Sequence, residues 1–112
     1  MAVKTTSSPF GSATRTKVLL ALELLSESYP RELERVLEVP VSVLQKAVLS
    51  LERDGLVAGR SVGRTRMFRI DPRHFAYRAL RAYLKRLAAP ETTLQGRIAG
   101  LRRRPRRTGK PL

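Results

Sequence analysis

Residues 38–70, EVPVSVLQKAVLSLERDGLVAGRSVGRTRMFRI, constrain the fold of this chain more than any other stretch. Leu44, Val48 and Leu51 recur at i, i+4 and i+7, which is one face of a helix expected over about residues 41–54. Ser42, Gln45, Lys46 and Leu49 fall on another face of that helix. Gly55 stands where a helix stops in a left-handed cap. Leu56-Val57 then begins a strand, and Thr65–Ile70 returns as a second strand rich in β-formers. Between them Ser61-Val62-Gly63-Arg64 reads as a hairpin turn, with Gly63 free to take positive φ. Arg60, Arg64, Arg66 and Arg69 gather at or near that turn. A helix with a short polar face, followed by a basic hairpin, has the layout of a winged helix-turn-helix. In that layout the helix enters a DNA major groove and the hairpin lies along the phosphates.

The flanking sequence supplies a core for this unit. Ser12 is a plausible N-cap for a first helix reaching about Ser26, with Val18, Leu19, Leu22 and Leu25 as an apolar stripe. Pro30 suits the first turn of a short second helix over residues 31–37, with Leu33, Val36 and Leu37 inward. Pro40 forces Val39 toward extended geometry and ends that helix. Asp71-Pro72 reads as a cap and first position of a further helix running to about Ala88. Phe75, Leu80, Tyr83, Leu84 and Leu87 lie on its apolar side, and Arg73, Arg78, Arg81, Lys85 and Arg86 on the other. The apolar side exceeds what one small core needs, so it is expected to form a dimer interface. The expected division is a disordered arm over residues 1–10, a winged-helix domain over 11–89, and a disordered basic tail over 90–112.

Charge separates these regions. The 112-residue chain carries a net charge of +14. Residues 1–59 hold seven basic and seven acidic side chains, whereas residues 60–89 hold nine basic side chains against Asp71 alone. Residues 90–112 hold seven more against Glu91 alone. An excess that begins at the hairpin and continues to the end points to a polyanion, most simply nucleic acid. Arginine supplies 18 of the 23 basic residues, which a GC-rich genome would also favour, but codon bias does not explain a neutral first half.

At these residues the sequence resembles the ArsR-type family of winged-helix transcription regulators. Phe10-Gly11-Ser12-Ala13-Thr14-Arg15-Thr16-Lys17-Val18-Leu19 is similar to the opening of that family's first helix. Leu51-Glu52-Arg53-Asp54-Gly55-Leu56-Val57 is similar to the end of its recognition helix, and Val62–Pro72 to its wing and final cap. The resemblance spans roughly residues 10–88 and implies a homodimeric DNA-binding regulator, most often a repressor, with terminal helices at the dimer contact. Glu38 stands where the family often has glycine, and positive φ there costs a non-glycine residue ~1 kcal/mol or more. The family's metal-sensing cysteines have no counterpart, because the chain has no cysteine.

The remaining residues exclude other chemistry. One histidine, His74, cannot build a zinc site alone and is expected to be exposed. No paired carboxylates or phosphate-cradling glycine loop stand out, so neither enzymatic activity nor a cofactor is expected. No apolar run reaches the ~18 residues of a membrane span, and the first residues lack an apolar signal core, so a cytoplasmic, nucleoid-associated protein is expected. The expected DNA contacts are Val41, Ser42, Gln45 and Lys46 on the helix and Arg60, Arg64 and Arg66 on the hairpin. Arg15 is expected to be structural, paired with an acid such as Glu52. A low-specificity DNA-coating protein and a protein-interaction module are the alternatives.

Overall fold

A computed structural model describes residues 9–103 of the chain. Five helices and one two-stranded antiparallel hairpin make up these residues: α1 (Ala13–Leu25), α2 (Pro30–Leu37), α3 (Val41–Arg53), β1 (Val57–Val62), β2 (Thr65–Ile70), α4 (Tyr77–Ala88) and α5 (Thr92–Arg103). No helix among them is long and apolar enough to cross a membrane.

Helix α1 is the central element. Ser12 caps it, its hydroxyl accepting from the Arg15 backbone N–H at 3.1 Å. Val18 to Leu22 are all fully buried, so neighbours cover α1 on every side and not along one stripe. It packs against α2, α3, α4, α5 and β2. From α3 come the buried side chains Leu44, Ala47, Val48 and Leu51, and from α4 come Leu80, Leu84 and Ala88.

The hairpin pairs Val57 with Ile70 at its base and Val62 with Thr65 at its tip, leaving Gly63-Arg64 as a two-residue loop. Gly63 has φ +64°, as a tight hairpin turn demands of its first loop residue. An isolated bridge at Ser28 extends the pairing on the far side of β2. Phe68 N–H donates to the Ser28 carbonyl at 2.7 Å, and Ser28 N–H donates back at 3.0 Å. The loop between α1 and α2 is thereby tied to the hairpin.

Residues 71–76, His74 among them, and residues 92–103 differ from expectation. Residues 71–76 form turns, and α4 starts at Tyr77. The Asp71 carboxylate does not cap α4: it accepts from the Arg73 backbone N–H at 2.9 Å and pairs with the Arg73 guanidinium at 3.3 Å. This local turn holds the chain out of the helix for six residues. His74 is half-buried, its Nδ1 accepting from Ala76 N–H at 3.0 Å. Residues 92–103 form helix α5 where the sequence predicts disorder. Leu94 and Ile98 are buried in the common core, and Leu101 packs partly against it. Arg97 donates to the Val36 carbonyl at 3.1 Å and pairs with Glu38 at 3.2 Å. Glu38 does take the left-handed conformation, φ 56° and ψ 44°, as the residue that ends α2. Residues 1–8 and 104–112, which include most of the expected arm and the end of the expected tail, lie outside the described residues.

Candidate nucleic-acid interface

The surface of α3 opposite its buried stripe carries Ser42, Gln45, Lys46, Leu49 and Arg53, all exposed. Helical spacing sets this: the buried residues repeat at three and four, so these five share the reverse face. None of the five side chains takes part in a hydrogen bond or ion pair among the described residues. Leu49 is 50% exposed and Val43 41% exposed, so two aliphatic side chains meet solvent on this helix. Val41, in the first turn, is half-buried. Arg53 is absent from the contacts expected from the sequence. A simple signal points to it: it stands seven residues after Lys46, two helical turns further along the same face.

The edges of this face are pinned by arginines from neighbouring elements. Arg66 reaches from β2 to Glu52 on α3, with N···O distances of 3.0 and 3.1 Å. Its guanidinium also lies over the Phe68 ring, 5.4 Å from the centroid. Gly59 makes room for this arrangement, since a Cβ there would come within 2.9 Å of the Phe68 ring and 3.0 Å of the Arg66 guanidinium. On the other edge, Arg15 bonds the Ser50 hydroxyl, pairs with Asp54 at 2.8 Å and donates to the Phe10 carbonyl. Arg15 is therefore structural, but its acid is Asp54, because Glu52 faces the hairpin and is taken by Arg66.

The hairpin arginines divide. Arg60 makes a two-pronged pair with Glu27 in the α1–α2 loop, at 2.8 and 2.9 Å. This pairing holds the Glu27 carboxyl below its usual range, against a smaller opposing effect of burial, and raises Arg60. Arg66 is raised in the same way by its bond to Glu52. Arg64, in the two-residue loop, and Arg69, near the base of β2, are exposed and engaged in no ion pair among the described residues. Arg60 and Arg66 are thus not idle cations waiting for phosphate, as strand position alone suggests. Each is already held by a carboxylate, and each would have to leave it or share it.

The expected dimer surface also divides. Leu84 is fully buried and Leu80 nearly so, both within the chain's own core. They are corrected from interface to core: α4 turns them toward α1. Phe75 is 97% exposed and Tyr83 47% exposed. Leu87 is half-buried against the core. Comparison with protein-family models, with curated proteins and with solved structures found no match.

Proposed function

We propose that this chain is a winged helix-turn-helix protein that binds double-stranded DNA and regulates transcription, as a repressor, in homodimeric form. In this reading α3 enters the major groove, and the β1–β2 hairpin is the wing that follows the adjacent backbone. The observation that carries it is the exposed face of α3. It offers Gln45, Lys46, Arg53 and Ser42, side chains suited to base edges and phosphates, with no partner inside the described residues. Arg64 at the wing tip adds a free cation beside it. The Arg66–Glu52 pair fixes the wing against the same helix, which is the preorganisation that a two-element grip on DNA requires. The dimer contact in this reading uses the exposed Phe75 and Tyr83 together with the half-buried Leu87.

A second reading, a low-specificity DNA-coating protein, is favoured by one feature: residues 72–90 hold five basic side chains and no acid. Genome-wide mapping of bound DNA separates the two, since a regulator gives a few sharp sites and a coating protein a continuous spread. The direct test of the interface is a mobility-shift titration of wild type and the Lys46→Ala/Arg53→Ala/Arg64→Ala variant. Loss of binding in the variant is the expected result. Equal binding by both would remove α3 and the wing from the interface.

A further inference from the structure

The acid-free outer face of α4 is a second cluster of cations. Arg78, Lys85 and Arg86 are exposed and make no side-chain ion pair or hydrogen bond among the described residues. Arg81, between them, is different: both prongs of its guanidinium hold the buried Glu23 carboxylate, at 2.9 and 3.1 Å, and the Tyr77 hydroxyl lies 3.3 Å away. Glu23 is the acid that reaches α4, and Asp71 is occupied by Arg73 in the preceding turn. Asp71 and Glu23 are thus taken by Arg73 and Arg81, and Arg78, Lys85 and Arg86 are left in no ion pair among the described residues. Arg78 and Lys85 stand about 10 Å apart along the helix axis. Three cations spread over that length match a run of phosphates better than one small anion.

This face is not the α3 face. Helices α3 and α4 each turn their buried side chains, Leu44, Val48 and Leu51 on one and Leu80, Leu84 and Ala88 on the other, into the core built around α1. Their exposed sides therefore diverge. We propose that these three residues form a second binding site for duplex phosphate backbone, so that one molecule bridges two DNA segments. This rests on the reading that α3 and the wing bind duplex DNA. The second contact is electrostatic, without base readout, because it consists of long cationic side chains on a convex helix.

The test is capture of a labelled free duplex by full-length protein already bound to an immobilised duplex. Wild type should capture it. Arg78→Gln/Lys85→Gln/Arg86→Gln keeps helix-compatible side chains at exposed positions, so its thermal melting should match wild type. That variant should hold the immobilised duplex as wild type does, yet lose capture at least tenfold. The slope of log capture against log salt should fall by about 2 to 3, for three phosphates at ~0.9 each. Capture that survives neutralisation would assign bridging to dimerisation through two α3 faces or to the residues after 103, and would overturn the proposal. A wild type that binds one duplex and never a second would overturn it too. If no duplex is held at all, the reading of α3 falls first and the bridge with it.

Discussion

Arg66 and Glu52 join the hairpin to the exposed edge of α3, through two contacts of 3.0 and 3.1 Å. The pair is open to solvent, so screening keeps its direct contribution to stability small. Its larger effect is on charge and geometry. Glu52 is a carboxylate at the edge of a surface proposed to face phosphates, and Arg66 neutralises it. Glu52→Gln should keep the fold and free the Arg66 guanidinium for the backbone. Affinity for random duplex should rise, and the salt slope should steepen by about 0.9, the value for one added phosphate contact. A titration of both proteins at several salt concentrations measures this. A weaker-binding variant would mean instead that the pair acts by holding the wing at its angle.

Gln45 and Lys46 should carry base discrimination. Gln45→Ala and Lys46→Ala are each expected to lower the ratio of specific to random affinity by about 1–3 kcal/mol per strong base contact. Arg64→Ala, at the wing tip, should weaken both DNAs alike. If the two helix variants keep the wild-type ratio, α3 does not read the groove.

Much of this arrangement was legible in the sequence. Ser12 as a cap, the 44/48/51 stripe, the Gly55 stop and the Gly63 turn all follow from local rules, because each depends on neighbours within one or two turns. The partners of Arg60 and Arg66 are different, since Glu27 lies 33 residues away and Glu52 14. No local rule selects a carboxylate at that range, although strand alternation does place Arg66 on the Phe68 side of the hairpin. Helix α5 was legible in one respect and hidden in another. Leu94, Ile98 and Leu101 have the same i, i+4, i+7 spacing as Leu44, Val48 and Leu51. Gly96 and Gly100, each costing a helix ~1 kcal/mol, and the arginine run beyond obscure it. The structure explains how α5 persists: its apolar side is covered by α1 and α2, and tertiary packing outweighs propensity.

Acid should loosen the hairpin end of the molecule. Asp71 titrates below its usual value, chiefly because the Arg73 backbone N–H bonds its carboxylate, with the Arg73 guanidinium adding to this and burial opposing it. Glu27 is likewise lowered, by Arg60. A depressed folded pKa contributes stability that is complete above the unfolded value, about 4, and disappears as pH falls through the folded value. Thermal stability should therefore be flat with respect to these groups from about pH 5 to 8 and decline below about 4. Asp71→Asn should flatten part of that decline. Identical acid profiles for wild type and variant would show that Asp71 does not contribute.

Tyr83, which belongs with Phe75 to the proposed dimer contact, is 47% exposed and touches the Phe10 ring, 6.0 Å between centroids, without being part of the buried core. Tyr83→Glu leaves Leu80 and Leu84 in place and should give a folded monomer by sedimentation. Its affinity for a two-half-site duplex should fall, because only one α3 is then offered at a time. A monomeric wild type would end the dimer proposal.

The chain after Pro90 should divide into a structural part and a charged part. Leu94 and Ile98 are 4% and 5% exposed, in the same core as Leu19 and Leu33. Ile98→Ala should cost about 2–5 kcal/mol, the usual range for emptying a buried aliphatic site. A chain ending at Ala89 lacks that packing and the bonds from Arg97 to Val36 and Glu38, so it should melt well below wild type. It would bind DNA poorly for that reason alone. A chain ending at Arg103 keeps α5 and removes Arg104, Arg106, Arg107 and Lys110. It should melt with wild type, bind specific and random duplex more weakly by similar factors, and show a shallower salt slope, ~0.9 less for each phosphate that is no longer neutralised. Calorimetry and a salt-series titration on the two truncated chains separate these effects. An unchanged slope for the chain ending at Arg103 would leave its last nine residues without a part in DNA binding. A weakening confined to specific DNA would mean that those residues read sequence.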